Sequence, residues 1–566
     1  MFLSKIQIKN FRSIENLEVY FNKGITILTG ENNVGKTAIM DALRLATMAA
    51  SDYDALRVTV DDFHDSNMHD PIEVNAIFTD LSTADEIGMF ETLAYDDNKL
   101  IAQINSISRY VPDTGRVKTR ISGGIPSANT SISTLYDYID VTYMKPLRDP
   151  SYSLKNGRFS YPAMYLNNRL NDEQKKAIEI IAQNINNALA QDEQIAETQS
   201  LYNEILKNIV GDIFAQRIEL IFNNPSFEKL ISDIKTVIDS KEYHLNGLGF
   251  NNILVIALVL AAHQHRTDVY KILIIEEPEA HLHPMLQRLL LTYLQTIVSN
   301  DNNNTQVIIS THSPVFASKA KVENVCHISR VKGRVYATSL YDIENDNGNL
   351  RYLSNKQKRK LERYLDVTKA ELYFCKRAIL VEGIAEAIML PSIARCMGID
   401  LDKHGISIIN CCGLNFDMFI PVIERIGIKT AIITDTDKNT GENVSSYCSK
   451  LSEFVKESSN IKIYPTTRTF EYSLLQNEEI RTITKSIIQN IGHYQIASQC
   501  NLKDGESMFN YLFGNKQRIS KAEFAQEFAC IIDSTHCRDK NKQTCSIAID
   551  SFPKNIVDAI NHVCNG

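Results

Sequence analysis

No repeated C-x-x-C spacing occurs among the eleven cysteines, so the pattern of a disulfide framework is missing. Only Cys411 and Cys412 are adjacent, and neighbours of that kind rarely pair, which points to a reduced, cytoplasmic chain. Long apolar runs are missing as well. The longest, Ile253 to Ala262, falls far short of the roughly 20 residues that a membrane span needs. The start, Met1-Phe2-Leu3-Ser4-Lys5-Ile6, alternates like a strand and lacks the apolar core of a signal peptide, so a soluble protein with no membrane partner is expected. There is no basic excess either: the formal net charge is −8, unlike that of most DNA-binding proteins. Two local basic clusters, Lys356 to Lys360 and Arg538 to Lys542, could track phosphates, although such runs are more often solvated faces. What the chain does have is an ordinary globular balance, 44% hydrophobic and 23% charged, able to bury large cores and giving no sign of disorder. Its 566 residues suggest about three to four domains at roughly 150 residues each.

Residues 2 to 9 alternate as a strand, and Gly24 to Thr29 read as a buried one. Gly30-Glu31-Asn32-Asn33-Val34-Gly35-Lys36-Thr37 follows at once and matches G-x-x-x-x-G-K-[ST], after which Ala38 to Ala46 show helical periodicity. Strand, glycine loop and helix in this order give the pattern a mechanism. Gly30, Asn32, Asn33 and Gly35 let backbone N–H groups approach phosphates, and the helix N-terminus adds a favourable dipole. Lys36 is positioned for the β- and γ-phosphates of ATP, and the Thr37 hydroxyl for Mg²⁺.

Lys271 to Pro278 form an apolar run ending in Glu276 and Glu277, the arrangement of a buried parallel strand delivering acids at its C-terminal end. Glu276 is expected to help hold Mg²⁺ and Glu277 to polarise the attacking water. Most ATPases of the ABC type have Asp where this chain has Glu276. A third strand, Thr305 to Ser310, leads into Thr311-His312-Ser313-Pro314, which puts His312 where a γ-phosphate-sensing histidine belongs. Upstream, Gly247 and Gly249 precede the apolar helix Ile253 to Ala262, in the place of a loop that binds the ATP of a second subunit. By likeness to ATPases of the ABC type, a head-to-tail dimer is expected. His281 and His283 could be metal ligands, but they fall where such ATPases have a subunit-contacting loop. Residues 72 to 78 and 138 to 144 read as further strands. In Asn171 to Ile209, the spacing of Ile178, Ile181, Ile185 and Leu189 predicts an amphipathic helical insertion, either a dimerisation arm or a helix packed on its own ATPase core.

A second set of acids follows a polar, basic stretch. Arg377 to Val381 read as a strand running into Glu382-Gly383, with Glu386 one turn later, and Lys429 to Thr434 as a strand ending in Asp435-Thr436-Asp437. The interval holds a helix, the strand Ile406 to Asn410 and another helix, so parallel pairing brings Glu382, Asp435 and Asp437 to one sheet edge. Carboxylates gathered this way raise one another's pKa unless a hard cation joins them, and Mg²⁺ is the usual occupant. Two such ions can activate water and stabilise the leaving oxygen of a phosphodiester.

The segment Leu380 to Gly383 and the motif Asp435 to Asp437 resemble a Toprim domain. The first 335 residues, opening with Ile8-Lys9-Asn10-Phe11-Arg12-Ser13, resemble a RecF/SMC-type ABC ATPase. Together, from residue 1 to about residue 530, the chain is similar to the OLD (overcoming lysogenization defect) nucleases. The resemblance implies an α/β fold: an ABC ATPase with a helical insertion, then a Toprim domain with a parallel sheet. The boundaries expected are 1–165 for the first ATPase part, 166–240 for the insertion and 241–340 for the second ATPase part. A linker at 341–372, the Toprim domain at 373–480 and a C-terminal helical segment at 481–566 complete the chain. By the same resemblance, Glu382, Glu386, Asp435, Asp437 and Glu471 bind metal (Mg²⁺, with Mn²⁺ or Ca²⁺ as alternatives), and Lys521 stabilises charge on the phosphate. It further implies ATP-linked DNA cleavage in anti-phage defence by a homodimer or higher even-numbered oligomer, with a helicase or a retron reverse transcriptase and its DNA as candidate partners. Two rivals are a DNA-tethering ATPase with a non-cleaving Toprim domain and a Toprim topoisomerase, although no helix-turn-helix context presents a nucleophilic tyrosine.

Overall fold

The computed structural model describes residues 1–48, 56–125, 132, 135–146, 157, 160–190, 192–210, 226–234, 237–238, 241–242, 247–264, 269–299, 304–340, 353–437, 446–455, 460–499, 504–514, 517–538 and 547–565. Strands β3 (Ile25–Thr29), β11 (Tyr270–Glu276) and β12 (Thr305–Ser310) are buried at every position. Such strands need cover on both faces, which parallel sheets flanked by helices supply. They lie in a six-stranded sheet of order β14-β13-β3-β12-β11-β8, completed by β8 (Ile139–Met144), β13 (Val325–Val331) and β14 (Arg334–Ser339). Every neighbouring pair is parallel except the β13–β14 hairpin. Helix α1 (Lys36–Thr47) leaves this sheet directly after β3.

A second, antiparallel sheet packs beside it. Its order is β2-β1-β4-β6-β5, with β7 on β6. The strands are β1 (Phe2–Phe11), β2 (Ile14–Tyr20), β4 (Ile72–Thr79), β5 (Leu93–Asp96), β6 (Lys99–Val111) and β7 (Arg116–Gly123). The buried Gln306 joins the two sheets. Its Nε2 donates to the carbonyls of Leu3 (2.9 Å) and Asn22 (2.8 Å), and its Oε1 accepts from the Leu3 N–H and the Tyr270 hydroxyl, each at 3.0 Å.

The insertion carries α2 (Asp172–Ala190) and α3 (Glu193–Val210), followed by a two-stranded piece, β9 (Val237–Ile238) with β10 (Lys241–Glu242). On α2 the stripe predicted to be apolar is open: Ile178, Ile181 and Ile185 are 36%, 60% and 57% exposed. These residues therefore do not pack on their own ATPase core. Periodicity shows that a stripe exists, not what covers it. The Leu189 side chain lies outside the described residues. Helices α4 (Leu248–Gln264) and α5 (Pro284–Ser299) cover the parallel sheet.

The expected linker is packed structure where it is described. Ser354 caps α6 (Asn355–Tyr364) through a capping box with Gln357. Leu361, Leu365, Ala370, Leu372 and Tyr373 are buried in the cluster that also holds Ile27, Leu273 and Ile309 of the ATPase and Leu380, Ile409 and Ile432 beyond it. The polar composition hid this, because a few apolar residues at helical spacing suffice for docking. Within the basic cluster, Lys358 pairs with Glu323, while Lys356 and Arg359 are exposed. Of the second basic cluster, everything after Arg538 lies outside the described residues.

The third sheet, β16-β15-β17-β18, is wholly parallel. Its strands are β15 (Arg377–Val381), β16 (Ile406–Asn410), β17 (Lys429–Asp435) and β18 (Ile461–Thr466). Around it lie α7 (Ile384–Cys396), α8 (Ile420–Ile426), α9 (Phe470–Leu475), α10 (Gly505–Phe513), α11 (Lys521–Arg538) and α12 (Lys554–Cys564). Arg395 of α7 ties to Asp533 of α11 at 2.7 Å. Helix α12, in a tail without a recognisable motif, buries Ile556, Ala559, Ile560 and Val563. Among the described residues, no helix is long and apolar enough to cross a membrane.

Replacing Gln306 by leucine strands the Leu3 N–H and the Leu3 and Asn22 carbonyls in or near the core. Gln306→Leu is expected to lower unfolding stability by about 3 kcal/mol, read as a shifted denaturant midpoint. An unshifted midpoint would mean that the staple contributes nothing.

Candidate active sites

Parallel pairing brings the C-terminal ends of β3, β12 and β11 side by side, and backbone bonds continue across the gap. The Thr311 N–H donates to Leu28 O (3.1 Å) and the Glu277 N–H to Ser310 O (2.9 Å). The loop after β3 turns through left-handed conformations at Gly30 (φ 135°), Asn33 (φ 62°) and Gly35 (φ 111°). At Gly30 a Cβ would stand 2.1 Å from Ile328 O, so only glycine fits. Asn32, Asn33 and Thr37 are exposed at the mouth. The Lys36 ammonium donates to the Gly30 (2.7 Å) and Glu31 (2.6 Å) carbonyls, and burial pulls its pKa down to about 8.

Glu276 is 2% exposed. Burial, with help from Asp41 and Glu277, pushes its pKa up to about 7. Its Oε2 accepts from the Tyr143 hydroxyl at 3.1 Å. Glu277 sits at φ 42°, and His312 Nε2 approaches its Oε1 to 3.8 Å. Burial and the nearby Lys36 charge lower the His312 pKa to about 4, so this contact involves a neutral imidazole at pH 7. The backbone at His312 is held by Glu279, whose Oε1 accepts its N–H at 2.6 Å. Gly249 lies in the first turn of α4, where a Cβ would come 2.4 Å from His281 O. Gly249 thus abuts the loop following Glu277, whereas Gly247, just before that turn, faces open space. His281 and His283 are exposed. Sequence reasoning missed the supporting residues Tyr143, Asp41, Arg44 and Glu279. Tyr143 stood in a strand already expected, but only strand pairing shows that it faces Glu276.

The second cluster lies at the C-terminal edge of the third sheet. Glu382, directly after β15, accepts through Oε1 from the Thr434 hydroxyl (2.5 Å) and the Asp435 N–H (2.8 Å). It therefore lies on the same edge as the acids of β17. Asp435 accepts from the Thr466 hydroxyl at 2.7 Å. Asp437, at φ 58°, is exposed, and its N–H donates to Arg468 O at 2.9 Å. Glu386 on α7 and Glu471 on α9 are both buried. Glu471 Oε2 meets Lys521 Nζ, from the start of α11, at 2.8 Å and the Thr469 hydroxyl at 3.0 Å, whereas its Oε1 is buried without a hydrogen-bond partner. The Arg468 guanidinium lies over the Tyr472 and Phe509 rings, 5.3 and 4.9 Å from their centroids, and the Arg468 carbonyl accepts the Asp437 N–H. Thr434, Thr466 and Arg468 carry no motif and could not be singled out from sequence.

Charge repulsion is written into this cluster. Burial raises Asp435 well above the usual carboxylate range, and Glu382, Glu471 and Glu386 add to the effect. Burial also lifts Glu386 to about 7, with Glu471 and Glu382 contributing. Glu382 is raised as well, by burial and by Asp437. Burial works against the Lys521 ammonium, yet Glu471, Asp435 and Glu386 outweigh it and raise its pKa. Hard oxygen donors, mutual repulsion and an orphaned Glu471 oxygen fit a divalent cation. As the side chains stand, however, no three His, Cys, Asp or Glu groups among the described residues form a cage for one. The threonine and lysine bonds to Glu382 and Glu471 would have to give way.

A carboxyl whose folded pKa exceeds its unfolded value of about 4.3 stabilises the fold at low pH, and that stabilisation is lost as pH rises through about 7. Metal-free protein should therefore lose thermal stability between about pH 5 and about pH 8. Mg²⁺ should raise the melting temperature more at the higher pH, and Glu386→Gln should flatten the slope. Identical pH profiles for wild type and Glu386→Gln would contradict this reading.

A family model described as AAA ATPase domain matches residues 1–145 and 164–317, and one described as overcoming lysogenization defect protein-like, TOPRIM domain matches residues 373–437. The OLD nuclease of Thermus scotoductus is 24% identical over 459 residues, covering 77% of this chain and 82% of that protein. Endonuclease GajA of Bacillus cereus is 22% identical over 470 residues, 77% of this chain and 75% of that protein. Among solved structures, the C-terminal region of the Burkholderia pseudomallei OLD protein covers 34% of this chain and 97% of its own, at 20% identity and a TM-score of 0.25. The chain belongs to the AAA ATPase domain family and carries an OLD-like TOPRIM domain behind it.

Proposed function

We propose that this chain is an ATP-hydrolysing, divalent-metal-dependent DNA endonuclease that acts in anti-phage defence. The observation that carries the reading is the gathering of Glu382, Glu386, Asp435 and Glu471 around the Lys521 ammonium, with Asp437 at the exposed rim. A pocket that merely grips DNA has no reason to bury mutually repelling carboxylates. Two hard cations bound there supply Lewis-acid activation of water and of the leaving oxygen. Glu382, Glu386, Asp435, Asp437 and Glu471 hold them, while Lys521 offers positive charge to the scissile phosphate. Nuclease names among the relatives support the same reading.

At the other site, Lys36 and the loop N–H groups bind the phosphates of ATP, Thr37 and Glu276 hold Mg²⁺, Glu277 orients water and His312 reads the γ-phosphate. Gly247 and Gly249 serve the ATP of a second copy, and the exposed Ile178, Ile181 and Ile185 supply an apolar stripe for dimerisation.

Supercoiled plasmid incubated with Mg²⁺ or Mn²⁺ tests the nuclease reading. Nicked or linear product is expected, whereas relaxed closed circles would indicate a topoisomerase and unchanged plasmid a tether. Glu382→Gln should lower cleavage by at least about 100-fold with ATP hydrolysis retained. Lys36→Ala should abolish hydrolysis and leave cleavage intact or deregulated. Parallel loss of both activities in each folded variant would rule out two separable sites.

A further inference from the structure

Glutamate at the end of β11 poses a mechanical problem. It is one methylene longer than the aspartate usual there, and a carboxylate serving a metal needs a fixed position. We infer that Tyr143 is the positioning residue that holds Glu276 in place, an inference that rests on the ATPase half of the proposed function.

Strands β8 and β11 run parallel with Tyr143 opposite Ile274. Side chains of residues two apart share a sheet face, so Tyr143 emerges on the face of Glu276. Both are nearly inaccessible, at 7% and 2%. The phenol donates to Glu276 Oε2 at 3.1 Å. The ring itself is held from α1, with the Arg44 guanidinium 3.9 Å from its centroid. Arg44 pairs in turn with Asp41 at 2.5 Å, and Asp41 also receives Arg12, which reaches Asp62 at 2.7 Å. Asp41 lies one helical turn beyond Thr37. A continuous set of buried contacts thus joins the helix that bears Thr37 to the strand that bears Glu276. With one methylene more than aspartate, Glu276 meets the Tyr143 hydroxyl at its Oε2.

A buried tyrosine accepts any available partner, so the test must separate metal positioning from packing. Tyr143→Phe keeps the ring and its arginine and removes only the hydroxyl. In full-length protein, the Mn²⁺ affinity that appears only on adding a non-hydrolysable ATP analogue, measured by electron paramagnetic resonance, should fall about tenfold. The Mg²⁺ needed for half-maximal ATP hydrolysis should rise by a similar factor, with the melting temperature nearly unchanged. In a Glu276→Asp background, where the shorter side chain does not reach the hydroxyl, Tyr143→Phe should change Mn²⁺ affinity less than about twofold. Unchanged Mn²⁺ affinity in Tyr143→Phe, or an equal loss in the Glu276→Asp background, would overturn the inference while leaving the ATPase reading intact. No nucleotide-dependent Mn²⁺ binding and no ATP turnover by the wild-type chain would overturn that reading itself, and the inference with it.

Discussion

Carboxylates repel one another most strongly where water is scarce, and at the edge of the third sheet this chain places several of them in such surroundings. Burial is the largest cause of the raised pKa at Asp435, Glu386 and Glu382 alike, with neighbouring carboxylates compounding it. The Lys521 ammonium and the threonine hydroxyls offset part of that cost. A divalent cation bound there, as proposed, would offset the remainder. The rest of the Toprim half supports the arrangement: four parallel strands aim their ends at one edge, α9 adds Glu471, and α11, pinned to α7 through Asp533 and Arg395, adds Lys521.

The nucleotide site faces the same problem on a smaller scale and solves it differently. There Glu276, Glu277 and Asp41 are close, but Lys36, Arg44 and Arg12 are built in beside them. The two centres are not independent bodies joined by a tether. One hydrophobic cluster runs from the ATPase sheet through Leu361 and Tyr373 into the Toprim sheet. At the surface of that junction Lys376, just ahead of β15, approaches Glu31 of the nucleotide loop to 3.6 Å. The buried His327 of β13 hydrogen-bonds the backbone at Tyr373. With Lys376 largely exposed, the ion pair itself contributes little, so the continuity of the core is what binds the two halves.

Much of this was legible in the residues. Runs such as Ile272 to Ile275 and Val307 to Ile309 read as buried parallel strands because alternation is absent, and acids at their ends then fall at a predictable edge. The short segments around Glu471 and Lys521 hinted at the site only through family resemblance, and their 2.8 Å pairing depends on tertiary packing across fifty positions of chain. The docked helix behind Ser354 was hidden by its lysines and arginines. Helix α12 was unreadable because nothing in Ile556 to Val563 says which sheet it covers. Tyr143 was invisible as a site residue for the same reason: strand order, not spacing, makes it a neighbour of Glu276.

The acids of the third sheet are proposed to hold divalent cations. Crystals soaked in Mn²⁺ and measured at the manganese absorption edge test it most directly. Anomalous density among Glu382, Glu386, Asp435 and Glu471, with Lys521 displaced from Glu471, is the predicted result. Density confined to the nucleotide site, with the Glu471–Lys521 pair intact at saturating Mn²⁺, would contradict it.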